Sequence, residues 1–281
     1  MALGAVAKER APAQYATAID GVDWHFQGDR FGCQLTHAVD GFGTLAMSRQ
    51  PGQPMVMTLQ ADWLAEQPKA TRSNLRSPVW LHQQPGQSLS RDWQWQGQHG
   101  RLEAGSTGYL DALEQGWGIG MTLSLADGRD YQLEIEPVSV KRPLREFRAC
   151  AGQVVPQPYS VVRHVTFQYA PGQMLPAATK AQLVNAIAAY VDADRRVAEV
   201  LIDGHSDNVG DHLANLVLSR QRADELSAML VEQGVPESMI EVRGHGQRYP
   251  LVSNATASGR NKNRRVEVRL VLAKESAHAD H

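Results

Sequence analysis

The stretch Gly204-His205-Ser206-Asp207-Asn208-Val209-Gly210 gathers an imidazole, a hydroxyl and a carboxylate between glycines, and it runs into "DHLANLVLSRQRADEL", which carries two arginines. Four chemistries use such residue types: phosphate cradling, acyl transfer, metal ligation and recognition of charge. A phosphate loop needs a glycine followed by Lys and Ser or Thr, and no lysine follows Gly210 in register. A Ser-His-Asp relay needs three side chains that converge, whereas His205, Ser206 and Asp207 are neighbours at a strand end and diverge. His205, Asp207 and His212 match no established metal-ligand spacing, so neither a metal nor another cofactor is expected. Charge recognition remains.

If a helix starts near Asp211, then Asn215, Ser219 and Arg222 share one stripe, because steps of three or four residues stack on one side. Asn215 and Arg222 are then expected on the polar side, with Leu216 and Leu226 facing the core. A zwitterionic ligand could set its ammonium on Asp207 and its carboxylate on the planar guanidinium of Arg222, through a charge-assisted bond. Backbone amides at the helix start would add donors. The same residues equally describe an internal Asp–Arg bridge that fixes the loop, and the residue types alone leave both readings open.

The elements that must position this loop divide into two grammars. The first half is β-rich: "MVMTLQADW" alternates from Met55, and "GIGMTLSLADGRDYQLEIEPV" reads as strand, turn and strand, with Met121, Leu123 and Leu125 answered by Tyr131, Leu133 and Ile135. "TGYLDALEQG" is its one helical signal. All six tryptophans lie here, as core or as a partner-binding face. "GQVVPQPYS" holds two prolines and no period, which predicts a linker. Beyond it come a strand ending near Phe167, a helix over "PAATKAQLVNAIAAYVDAD", the strand "VAEVLIDG", and a helix from about Asp211 to Gln233 that stops at Gly234-Val235-Pro236. Leu216, Ala223, Leu226 and Leu230 make that helix's expected apolar face. The strands "MIEVRGHG" and "RRVEVRLVL" follow.

The fold class expected is therefore α+β with two domains: a mainly antiparallel β domain over 1–151, a linker over 152–159, and a two-layer β-α-β-α-β-β domain over 160–281. A chain of 281 residues is long enough for two cores. A formal net charge of −2 lacks the basic excess of a nucleic-acid binder. No segment reaches the roughly 18–20 apolar residues of a membrane span. "MALGAVAKER" puts a short apolar run ahead of its charges, the reverse of a secretory leader, so the chain reads as mature or trimmed. Cys33 and Cys150 are either two unrelated thiols or one bridge.

From Val200 through Leu270 the sequence resembles the OmpA-like peptidoglycan-binding domain, with "GHSDNVG", "LSRQRA" (Leu218 to Ala223), "VRGHGQRYPLVSN" (Val242 to Asn254) and "GRNKNRRVEV" (Gly259 to Val268) in order. The resemblance implies a ligand, the diaminopimelate of the stem peptide, whose far end is such a zwitterion. It also implies peptidoglycan-binding roles for Asp207, Asn215, Arg222 and Arg264, the last as a second positive group. Ser206 stands where threonine is usual. Gln168 lies near the place where an aspartate often follows the first strand.

The whole chain is similar to the MotY-type family of periplasmic flagellar motor proteins. "YATAIDGVDWHF" (Tyr15 to Phe26), "FGCQLTHAVDGFGTLAMSRQPGQ" (Phe31 to Gln53), "WGI" (Trp117 to Ile119) and Cys150 carry that similarity. It implies a Cys33–Cys150 disulfide, a periplasmic location with the leader removed, and no enzymatic activity. It further implies that the β domain meets the flagellar basal body and stator proteins, while the second domain holds peptidoglycan. Phe42 in "DGFGT" is a candidate partner contact or a core residue. The rival readings are a general envelope scaffold and a wall-targeted enzyme; against the latter, the sequence has no HExxH, no GxSxG and no cysteine free of the implied bridge.

Overall fold

Alternating apolar residues along the first half place its strands in two sheets that share one core. The structure, a computed structural model, describes residues 12–78, 88–90, 93–174 and 181–273. Trp80, the segment "MALGAVAKER" and residues 176–180 of the expected helix lie outside these. The chain divides into two units, Met1–Val154 and Val155–His281.

In the first unit one sheet runs, edge to edge, β2 (Trp24–Asp29), β3 (Gly32–Val39), β4 (Gly43–Arg49), β5 (Val56–Gln60), β9 (His99–Leu102) and β8 (Gln94–Gln96), antiparallel throughout. The other runs β1 (Ala13–Ala16), β11 (Asp130–Ile135), β10 (Gly118–Ser124), β6 (Ala70–Arg76) and β7 (Ser88–Ser90), with only β1 and β11 parallel. Met121 faces Leu133 and Leu123 faces Tyr131, as the alternation predicts. The turn between them holds Gly128 at φ 83°, a left-handed conformation that glycine adopts without steric cost. These side chains join Leu35, Leu45, Met57 and Leu59 of the other sheet in one buried cluster.

Helix α1 (Ser106–Glu114) answers the single helical signal, and α2 (Lys141–Ala151) closes the unit. A disulfide joins Cys33 on β3 to Cys150 on α2, with Cα atoms 6.1 Å apart. Phe42 is buried, which assigns it to the core rather than to a partner surface. Trp24 and Trp93 are buried and Trp95 and Trp117 half-buried, whereas Trp63 is 42% exposed.

The second unit is a four-stranded sheet in the order β12 (His164–Gln168), β15 (Arg265–Leu272), β13 (Val197–His205) and β14 (Ile240–Gly244). β13 pairs in parallel with β14, and the two pairings of β15 are antiparallel. Val266, Val268 and Leu270 are buried on one face of β15, matching the period-two expectation. Val184, Ile187 and Val191 of α4 (Ala181–Ala193) and Ala223, Leu226 and Leu230 of α5 (His212–Glu232) are buried as well. A helical turn, α3 (Tyr159–Val162), precedes β12, and a seven-residue helix, α6 (Ala257–Asn263), precedes β15. The expected β-α-β-α-β-β order lacks α6, because "ASGRNKN" has no apolar period and its start is set locally by Thr256, whose Oγ1 accepts the Gly259 N–H at 3.0 Å.

Candidate functional site

Strand β13 ends at His205 and delivers the buried Ser206 and Asp207 into the loop before α5. The Ser206 N–H donates to the Gly246 carbonyl at 2.9 Å, tying this loop to the one after β14, and its Oγ donates to the Asp207 carbonyl at 2.9 Å. The Asp207 Oδ1 accepts the Val209 N–H at 3.0 Å, the local bond by which aspartate stabilises a turn. Asp211 then caps α5, accepting from the amides of Leu213 and Ala214 at 2.9 and 3.0 Å. At the other end Gly234, at φ 95°, terminates the helix.

Helix α5 lies directly on β13 because of Gly204: a Cβ there would collide with the Ser219 carbonyl oxygen. The Ser219 Oγ accepts the Gly246 N–H at 2.9 Å, so one helix position also holds the second loop. The buried stripe of α5 is Asn215, Ser219, Arg222, Ala223, Leu226 and Leu230, polar in its first half and apolar in its second. This corrects the expected division into a polar and an apolar face. Leu216 is exposed, and Arg222 is buried with no accessible surface.

The Arg222 Nε donates to the Gln173 carbonyl at 2.9 Å and Nη2 to the Ala170 carbonyl at 3.5 Å. Its guanidinium carbon lies 5.0 Å from the centroid of the Tyr169 ring, a cation–π contact. Nη1 is buried and has no hydrogen-bond partner among the described residues. Burial lowers the Arg222 pKa from its ordinary value, with Tyr169 partly opposing, and burial pushes the Tyr169 phenol up to about 12.

Asp207 pairs with Arg264 rather than with Arg222. Arg264 Nη1 donates to the Asp207 Oδ2 at 2.5 Å, and both side chains are nearly buried. The remaining Arg264 nitrogens donate to the Tyr169 carbonyl at 3.1 Å and to Asn261 Oδ1 at 3.0 Å, so every arm of this guanidinium is engaged. Asn215 Nδ2 donates to the Val209 carbonyl at 3.0 Å. Asp207, Asn215, Arg222 and Arg264 line one cavity of about 360 Å³, together with Pro171 and Arg260 among others.

Gln168 is exposed and does not line that cavity. His205 turns away from it to stack on His245, with centroids 5.0 Å apart, and His212 is exposed. Two residues, one lining the cavity and one beside it in sequence, were not singled out from the sequence. Arg260 precedes Arg264 by one helical turn, a spacing that was readable. Asn263, which directly precedes Arg264, is buried and holds the 251–252 backbone: its Oδ1 accepts the amides of Leu251 and Val252 at 2.8 and 3.1 Å, and its Nδ2 donates to the Val252 carbonyl at 2.8 Å.

A four-stranded sheet with a polar-then-apolar helix laid on it, and a shared acid–arginine pocket at the strand ends, defines an OmpA-type domain. The OmpA family matches residues 168–264, and the MotY N-terminal domain matches residues 15–156. The chain belongs to the MotY family. It is 26% identical over 247 residues to the sodium-type flagellar protein MotY of Vibrio parahaemolyticus, covering 85% of this chain and 83% of that one. It is 37% identical over 107 residues to the probable lipoprotein YiaD of Escherichia coli, covering 38% of this chain and 48% of that relative. The crystal structure of the peptidoglycan-associated lipoprotein from Burkholderia pseudomallei aligns with a TM-score of 0.36 at 21% identity, over 38% of this chain and 89% of the other.

Proposed function

We propose that this chain is a non-enzymatic, periplasmic component of the flagellar motor that holds peptidoglycan in the Arg222 cavity and, through its first unit, ties the basal body and stator complexes to the cell wall. One observation carries the wall-binding part: Arg222 Nη1 is buried and has no hydrogen-bond partner among the described residues, in a cavity whose carboxylate, Asp207, is already held in place. Leaving a guanidinium N–H buried without an acceptor is unfavourable, and a ligand carboxylate arriving there removes that penalty. The Asp207 carboxylate has about four acceptor sites, and Arg264 and Val209 use two of them, so an ammonium can still dock. The clamp for a diaminopimelate zwitterion is thus Arg222 for the carboxylate and Asp207 for the ammonium. Asn215 lines the same cavity, and Arg264 acts as the brace that orients Asp207.

The membership in the MotY family supports the motor assignment, and the physical demand agrees with it. Torque on a stator must be resisted by something stationary, and peptidoglycan is the rigid lattice available in the periplasm. Weak single-site affinity is sufficient when many copies attach together. The test is co-sedimentation of the purified chain with isolated sacculi, native against Asp207→Ala and Arg222→Ala. Loss of binding in both, with unchanged circular dichroism for Arg222→Ala, is the expected result. Undiminished binding by Arg222→Ala would remove the site assignment.

A further inference from the structure

Trp63, the exposed tryptophan of the first unit's described residues, is held rather than loose. Its indole N–H donates to the Phe42 carbonyl at 2.6 Å. Phe42 and Tyr131 meet it edge to face, with centroids at 5.5 and 5.1 Å, and Tyr15 lies beside it at 5.8 Å. With its one polar atom already engaged, the ring can offer a partner only its π surface. Such a surface takes apolar groups or cations.

The surrounding charge decides between them. Asp62 precedes Trp63, and Asp40 precedes Gly41, which lies against the Tyr15 ring. Glu66 follows Trp63 by three residues in the same non-helical segment. Asp40, Asp62 and Glu66 are exposed, and none forms an ion pair among the described residues. Arg129, whose Nη1 donates to the Tyr131 hydroxyl at 3.2 Å, is already paired with Asp127 at 2.5 Å. Lys69, the next cation along the chain, lines a separate groove with Trp93 and Trp95. A preset aromatic face is thus neighboured along the chain by three exposed carboxylates, none of them in an ion pair among the described residues.

We propose that the Trp63–Tyr15 face, with Asp40, Asp62 and Glu66, is a docking surface for a lysine- or arginine-bearing segment of a partner protein. The proposal deepens the motor reading by giving the first unit a partner surface and a partner chemistry. It does not depend on the wall-binding cavity.

The test titrates the full chain with a decalysine peptide, following tryptophan emission and heat of binding, with decaglutamate as the control. Saturable decalysine binding that weakens as salt is raised is expected, with none for decaglutamate. Trp63→Phe, which keeps a ring in the aromatic cluster, should weaken binding by about fivefold. The combined Asp40→Asn, Asp62→Asn and Glu66→Gln variant should weaken it by at least about tenfold. Glu237→Gln in the second unit should change nothing. Absence of saturable binding, equal binding of decaglutamate, or binding indifferent to both surface variants would each overturn the proposal. The same variants must still sediment with sacculi; failure of the peptide arm alone leaves the wall-binding reading standing, and failure of sacculus binding alone leaves this one standing.

Discussion

Replacing Arg222 by methionine separates a binding role from a structural one. In the folded chain the guanidinium makes one good charged bond, to the Gln173 carbonyl at 2.9 Å, and a long one to Ala170 at 3.5 Å. Bonds of the first kind contribute about 1.5–3 kcal/mol, and the contact over Tyr169 adds about 0.5–2 kcal/mol. Against these stands the burial of a charge that has no carboxylate partner among the described residues, an effective penalty of several kcal/mol. Methionine keeps the aliphatic packing and removes the charge. The terms nearly cancel, so Arg222→Met should alter unfolding free energy by no more than about 1–2 kcal/mol, a shift of the urea midpoint below about 1 M. Wall binding should meanwhile fall by at least about thirtyfold, the loss expected when one side of a buried charged pair is removed. Asp207→Asn should behave differently. It strips Arg264 of its carboxylate in a nearly buried pair, which is destabilising by about 3–5 kcal/mol. Urea melts and sacculus co-sedimentation of the two variants, side by side, check the contrast. If Arg222→Met unfolds as readily as Asp207→Asn, or still binds sacculi, Arg222 is structural and the reasoning fails.

Two further outcomes follow from the same geometry. Reducing the Cys33–Cys150 bridge, which spans 117 residues, should destabilise the first unit by about 4–5 kcal/mol on the chain-entropy model. A urea midpoint unmoved by reductant, once a thiol assay shows that both cysteines are free, would contradict this. Burial, with Arg265 adding, holds the His205 pKa at about 4, below its ordinary 6.5. The unfolded chain therefore binds the extra proton first, so this contribution to stability is complete above pH 6.5 and is lost as pH falls toward about 4. It amounts to up to about 3 kcal/mol. Asp203, His245, Arg265 and Glu267 surround the ring, and His205→Gln should flatten the urea midpoint across that window; an unchanged slope would place the titration elsewhere.

The second unit was legible where local chemistry sets structure. Asp211 and Gly234 bracket α5 as a cap and a stop, and the alternation of Val266, Val268 and Leu270 names the buried face of β15. Arg222 was misplaced on a polar side because a periodicity argument assigns apolar residues to the interior, and here the first half of the buried stripe lines a cavity. The Asp207–Arg264 bond joins residues 57 positions apart, and no spacing rule reaches across that distance. In the first unit the sequence showed six tryptophans but not that Trp63 faces outward. That depends on Phe42 and Tyr131, brought together by different sheets.

The placement of Asp207 directly beyond β13 has a mechanical consequence. A pull on the loop enters the end of an interior strand, one bonded on both sides, to β15 from Val197 to His205 and to β14 from Val200 to Gly244's partner Gly204. The antiparallel bonds to β15 lie across the strand direction and the parallel bonds to β14 slant across it. Tension along β13 therefore loads them together in shear instead of peeling them one by one, so the proposed wall contact would be rooted in an interior strand rather than an edge.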